Sequence, residues 1–259
     1  MTNKPLILVT NDDGITAPGI RALVSVVAAI GEVVVVAPDS PQSGQGHAIT
    51  LSDPLRLKAT QTFEGVQSWQ CSGTPVDAVK LAKSFLLKER TIDLCVSGIN
   101  HGSNAAQNII YSGTMSAAME ASLAGIPSIG FSLLDFRWEA DFSAAQHFAR
   151  QIIQNILSKG MPGGCRLLNV NIPALPQESI KGIKVCRQAE ARWVEAFSES
   201  FDPLGRPYYW LTGEFVNEDK GADSDIAALE AGYVSVVPSG HDLTLHQAID
   251  PLRFLETTS

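Results

Sequence analysis

Apolar residues arrive along the first 173 positions of this chain in short unbroken runs, separated by amphipathic stretches. Residues 6–10 form the first run, and Asn11, Asp12, Asp13 and Gly14 stop it with turn chemistry. After Pro18, the residues Ile20, Leu23, Val24, Val27 and Ile30 recur at helical spacing, and Gly31 ends the predicted helix. A second run at 33–37 stops at Pro38. Strand, helix and strand in such succession begin a parallel sheet, because a parallel crossover needs a helix of that size.

The same rhythm continues downstream. Residues 55–59 and 66–71 alternate as strands and could form a hairpin laid beside or over the polar 39–46 loop, and a helix follows from Thr74 or Pro75 to residue 87 with Asp77 in its first turn. A buried strand at 92–96 leads into a polar loop at 97–108. A helix at 113–123, a strand at 128–132, a helix at 142–157 and a strand at 167–172 complete the alternation. The fold class is α/β: a three-layer, Rossmann-like, doubly wound sheet.

Beyond Pro176 the texture changes to aromatic strands at 183–186, 193–197 and 208–212, with Pro203, Gly205 and Pro207 marking turns. The expected organisation is a core over residues 1–186, a protruding β-hairpin arm over 187–216, and a return to the core over 217–259. Glu214, Glu218, Asp219, Asp223 and Asp225 face only Lys220 locally, so this acidic stretch is expected to be a solvated face. A strand at 233–237 could rejoin the sheet.

Composition narrows the class. Of 259 residues, 45% are hydrophobic and 18% charged, which describes a core-rich globular chain and not a disordered one. The net charge of −8 argues against binding a nucleic-acid polymer or an anionic membrane. No apolar run is long enough for a membrane span, and the first is interrupted too early for a secretory leader. Cys71, Cys95, Cys165 and Cys186 form no CxxC pair, which fits a reducing compartment. The expectation is a cytoplasmic protein.

In an open α/β sheet the crevice lies at the carboxyl ends of the strands, so three loops carry the candidate chemistry: 11–14, 40–47 and 97–104. Asp12 and Asp13 are adjacent; two close carboxylates repel unless a cation offsets them, and the alternative is a solvated turn with an Asp as helix cap. Ser43, flanked by Gly44 and Gly46, offers a hydroxyl, and Asn100 an amide oxygen. Such an all-oxygen set suits Mg²⁺ or Mn²⁺ and not structural zinc. Ser112, Gly113, Thr114 and Ser116 open a helix whose free N–H groups could cradle a phosphate, or simply be capped. There is no GxxxxGK[ST] and no GxGxxG at the first turn. His101 is the best-placed histidine for proton transfer.

Taken together, ILVTNDDGI at 7–15, VAPDSPQSGQGHAIT at 36–50, SGTPVD at 72–77, VSGINHGSN at 96–104, YSGTMSAA at 111–118, FDPLGRPYYW at 201–210 and GYVSVVP at 232–238 resemble the SurE family, the survival protein E phosphatases also called 5′/3′-nucleotidases. The resemblance covers nearly the whole chain. It implies one divalent ion per subunit, Mg²⁺ or Mn²⁺, at Asp12, Asp13, Ser43 and Asn100, with Asp12, Asp13 and Asn100 catalytic. It places Gly44, Asn104, Ser112, Gly113 and Thr114 near the phosphate. It further implies hydrolysis of nucleoside 5′- and 3′-monophosphates, some trimming of short polyphosphate, and a homodimer or homotetramer assembled through the arm and C-terminal segment. Where many relatives have a glycine and an aspartate before the SGT, this chain has Ala106 and Asn108. The rival readings are a non-catalytic Rossmann-like nucleotide-binding or regulatory module and a transferase.

Overall fold

A computed structural model describes residues 4–257. Its first strand, β1 (Leu6–Thr10), is buried along its whole length, as expected of a parallel strand covered on both faces. The helix α1 (Pro18–Val27) follows, and then β2 (Glu32–Pro38). This helix stops a turn earlier than the apolar spacing predicts, because the N–H groups of Ile30 and Gly31 both turn back onto the Val27 carbonyl.

The hairpin β3 (Leu57–Thr60) and β4 (Gln67–Cys71) lies at one edge of the sheet, where β4 pairs parallel to β2. The helix α2 (Pro75–Leu81) opens on a reciprocal cap: the Thr74 hydroxyl accepts from the Asp77 N–H, while the Asp77 carboxylate accepts from the Thr74 N–H. It runs on as a wider turn over Ala82–Leu86. The strand β5 (Leu94–His101) is longer than the apolar run at 92–96, since its register against the next strand shifts between Ser97 and Asn100 and pairing resumes beyond the shift. Residues 97–101 are therefore strand and not loop.

Two helices follow, α3 (Asn108–Tyr111) and α4 (Gly113–Leu123), then β6 (Ser128–Leu133), α5 (Ser143–Lys159) and β7 (Leu167–Ile172). A short β8 (Ile183–Val185) precedes the antiparallel pair β9 (Ala191–Phe201) and β10 (Pro207–Asn217), which forms a separate two-stranded sheet. The helix α6 (Asp225–Glu230) and β11 (Val234–Ser239) bring the chain back, with β11 antiparallel to β7.

The main sheet has nine strands in the order β3-β4-β2-β1-β5-β6-β7-β11-β8. One core cluster joins the sheet to residues of α1 and α5, including Ile20, Leu23, Phe148 and Ile153. Another joins the opposite face to α2 and α4 through Val79, Ala82, Ala117 and Ala121. These are the three layers that the alternation predicts. The winding reverses between β1 and β5, so a crevice opens at their carboxyl ends, where Asp12, Asp13 and Asn100 lie.

The acidic stretch is a solvated face only in part: Glu214, Glu218 and Asp223 are exposed, whereas Asp219 is half-buried and Asp225 buried. Arg187 pairs with Asp219 and Asp223, and Arg192 with Glu218. Asp225 is fully buried, where its carboxylate accepts from the N–H groups of Ala106 and Ala189, each at 2.9 Å. Local sequence conceals this because the arginines lie 26 to 36 positions upstream, and α6 is too short to display a period. Asp225→Ala should cost about 3 kcal/mol or more, since two N–H groups lose a charged acceptor where water cannot replace it. Urea unfolding measures this, and a change below about 1 kcal/mol would contradict the latch.

Candidate active site

The site is built from the ends of β1 and β5 and the start of α4. The Asp12 carboxyl is only 4% exposed and lies against the first turn of α4. Gly113 makes that approach possible: a Cβ there would sit 2.7 Å from the Asp12 Cβ and 2.9 Å from its Oδ2. The Thr114 hydroxyl donates to Asp12 Oδ1, and its backbone N–H also favours the charged form. Burial, and after it the neighbouring charge of Asp13, nevertheless push the Asp12 carboxyl up to about 6.

Asp13 is held differently. Its Oδ2 lies 3.0 Å from His101 Nδ1, and the His101 ring is stacked on Trp138 with Phe142 edge-on. The hydrogen bond with Asp13 raises the His101 pKa. The other ring nitrogen, Nε2, is buried without a hydrogen-bond partner. This ring fixes the Asp13 carboxylate; it does not face solvent as a proton shuttle would.

Asn100 donates from Nδ2 to the carbonyls of His101 and Gly102, at 3.2 and 2.9 Å, which turns its Oδ1 toward the Thr114 hydroxyl 3.5 Å away. Next to these groups in the chain and in strand register, the side-chain oxygens of Thr10, Asn11 and Ser97 are buried and unpartnered. Buried polar atoms without partners are uncommon, and three at the switch point mark a place prepared for a polar guest.

The loop carrying Ser43 is docked at several points. The Gln42 N–H donates to the Asp12 carbonyl at 2.8 Å, and the Gly46 N–H to the Tyr111 carbonyl at 3.3 Å. Farther along, His47 meets Glu120, the Thr74 hydroxyl donates to the Ala48 carbonyl, and Thr50 donates to Asp77 from both its N–H and its hydroxyl. Ser43 itself is exposed, and Gly44 has a left-handed φ of +74° with nothing near its missing Cβ.

Of the other predicted residues, Ser112 caps α4 by accepting from the Met115 N–H. Asn104 belongs to a buried network: its amide donates to Ser132, its N–H to Asn171, and its carbonyl accepts from Asn169. Ala106 has a left-handed φ of 51°, a conformation natural to glycine, and its methyl packs on Ala189 and Ala191. Asn108 Oδ1 accepts from the Trp193 indole at 2.8 Å, tying the root of the arm to the site loop. Sequence reasoning missed His101 as the support of Asp13 and Asp225 as the anchor of Ala106. Neither has a local signal, since each partner lies 88 or more positions away.

Residues 7–195 match the family described as Survival protein SurE. This chain belongs to the SurE family. A relative from Christiangramia forsetii named 5′-nucleotidase SurE is 60% identical, with 96% of each chain covered. One of the same name from Cytophaga hutchinsonii is 58% identical over 97% of this chain and 96% of its own. The crystal structure of the SurE protein from Aquifex aeolicus superimposes with a TM-score of 0.83 at 40% identity, covering 98% of this chain and all of that one. Among the described residues, no helix is long and apolar enough to cross a membrane.

With no cation present, an ionised Asp12 opposes folding. Its folded pKa of about 6 exceeds the ordinary 3.8, so the native state binds a proton between those values and stability falls as pH rises through that window. In EDTA at pH 8, Asp12→Asn should therefore be more stable than the wild type by about 3 kcal/mol, and the advantage should vanish below about pH 4. Urea unfolding across pH reads this difference.

Proposed function

We propose that this SurE-family chain is a divalent-metal-dependent phosphomonoesterase that hydrolyses nucleoside 5′-monophosphates, and 3′-monophosphates as well, to nucleoside and phosphate, with short polyphosphate as a further substrate. The observation that carries this reading is the buried Asp12 carboxyl beside Asp13, at a helix N-terminus and at the strand ends that also carry the unpartnered oxygens of Thr10, Asn11 and Ser97. The names of the relatives support the substrate class.

The donor chemistry fits a hard cation. Asp12, Asp13, Asn100 and the Ser43 hydroxyl are all oxygen donors, and among the described residues no cluster of three or more His, Cys, Asp or Glu side chains forms a competing site. When bound, Mg²⁺ or Mn²⁺ supplies charge neutralisation for phosphoryl oxygens and makes water more acidic. Thr114 and the start of α4 hold Asp12 in place, while Asn100 presents Oδ1 to the same space.

Asp13, held at one oxygen by His101, uses the other to orient the attacking water. Water oxygen forms the new bond to phosphorus as the bond to the nucleoside oxygen breaks; one of the water's protons ends on the departing nucleoside oxygen and the other stays with the phosphate. The loop at Gly44, together with Ser112 and Gly113, surrounds the phosphate; Asn104 supports this wall from behind through Ser132 and Asn171. Residues 1–186 and 217–259 serve as the catalytic body in this reading, and residues 187–216 as an assembly arm within a cytoplasmic homodimer or homotetramer.

Phosphate release from nucleoside monophosphates should be absent after EDTA and restored by Mg²⁺ or Mn²⁺, with Zn²⁺ a poorer substitute. Full turnover in a preparation shown by elemental analysis to be metal-free would refute the proposal. Asp13→Asn should lose about 10²-fold or more in kcat at saturating metal and substrate, equivalent to about 2.7 kcal/mol, with unchanged circular dichroism. The arm exposes Phe201, Tyr209 and Trp210, and the C-terminal segment exposes Leu243, Leu252 and Phe254. Light scattering at micromolar protein should accordingly give a dimer or tetramer mass; a monomer mass would defeat the assembly role.

A further inference from the structure

The loop at 134–142, between β6 and α5, carries two large apolar side chains at the surface: Phe136 is 81% exposed and Trp138 54%. Exposed rings taken singly are ordinary. What distinguishes this pair is what each one covers. Trp138 lies along one face of His101, with ring centroids 5.6 Å apart and 6° between the planes. Phe136 rests on the next residue, Gly102, where any Cβ would run into its ring.

Phe136 helps to fix where Trp138 stands. The Gly102 N–H donates to the Leu133 carbonyl at 2.8 Å, and the Leu134 N–H to the Ile172 carbonyl at 2.9 Å, so the loop is pinned to the sheet at its start. Arg137, between the two rings in sequence, forks onto Asp135 at 3.0 and 2.6 Å. At the far end Phe142 is 7% exposed and meets His101 edge-on at 5.1 Å.

His101 needs this support. Its Nδ1 lies 3.0 Å from Asp13 Oδ2, while Nε2 makes no hydrogen bond, so nothing polar holds the ring from its far side. The last torsion of a histidine is broad and roughly two-fold. A half-turn would replace Nδ1 with a carbon and leave Asp13 unpaired. One ring laid flat and another set edge-on oppose that turn, and they keep water from competing for the ring N–H. With Oδ2 taken by His101, Asp13 offers the site its other oxygen alone.

We propose that Trp138 is a positioning residue for Asp13: stacked on His101, it keeps the imidazole on the carboxylate, so that Asp13 meets the divalent ion through one fixed oxygen. This rests on the metal-dependent reading and deepens it. Partners that orient metal ligands typically change metal affinity by about 10- to 100-fold when removed.

Two measurements on the full chain test the role, both without substrate. In metal-free protein, a ¹H–¹⁵N spectrum of the histidine rings should show a His101 N–H signal protected from exchange with water, identified by its absence from His101→Ala. Trp138→Ala should lose that signal; its absence from the wild type, or its persistence in Trp138→Ala, overturns the proposal. In calorimetric titration with Mn²⁺, Kd should rise about tenfold or more in Trp138→Ala, and Trp138→Phe, which keeps a flat ring over the imidazole, should restore much of the affinity. Because Trp138 acts through His101, adding Trp138→Ala to His101→Ala should change Kd by less than about twofold. A Kd within twofold of the wild type in folded Trp138→Ala, or an undiminished effect in the His101→Ala background, overturns the proposal. Trp138→Leu, apolar but without a stacking face, takes the place of Trp138→Ala if that variant does not fold. If the wild type binds neither Mn²⁺ nor Mg²⁺, the metal-dependent reading fails, and the ring N–H signal alone then judges the hold of Trp138 on His101: loss in Trp138→Ala sustains it and persistence overturns it.

Discussion

A carboxylate that would rather be neutral organises this molecule. Asp12 is taken out of water, set beside Asp13, and offered in return only the first turn of α4 and the Thr114 hydroxyl. Those partners do not offset burial and like charge, and so its carboxyl is pushed up to about 6. A fold that retains such a pair at neutral pH carries an unfavourable charge, which a bound cation would relieve. The glycine at 113 has the same meaning, because any side chain there would drive the carboxylate away from the helix start.

Rigidity around that pair is distributed unequally. The walls are stiff: Asp13 is locked by an imidazole held between two aromatic rings, Asn100 by two carbonyls, and the 104–106 segment by the Asn169–Asn171 network and by Asp225. The exposed turn at Ser43 and Gly44 is tied on both sides but not at its tip. Such an arrangement keeps the charged groups in place while leaving the ester a way in and out. The acidic latch serves the same end from a distance, since Asp225 accepts from Ala106 of the site loop and from Ala189 just before β9.

Much of this was legible in the chain. The strands at 6–10 and 167–172 and the helix at 113–123 follow directly from apolar runs and caps, because central parallel strands are covered on both faces and need no alternation. Adjacent Asp12 and Asp13 after a strand already announce a charge problem. What was hidden depended on distant partners or on geometry without a period. The continuation of β5 past Ser97 rests on a register shift, α6 has only six residues, and Asp225 reads as one more surface acid until Ala106 and Ala189 arrive beside it. The orientation of His101 is equally invisible, since Trp138 and Phe142 reach it from the loop after β6.

The claim that the Asp12–Asp13 pair is kept for a cation is tested most directly by thermal unfolding of wild type and Asp12→Asn over a series of Mg²⁺ and Mn²⁺ concentrations, with no substrate present. Preferential binding to the native state raises the wild-type midpoint progressively with the logarithm of cation concentration above Kd. The account predicts that rise for the wild type and a nearly flat response for Asp12→Asn. A wild-type midpoint that ignores both ions, or an equal rise in the two proteins, would contradict it.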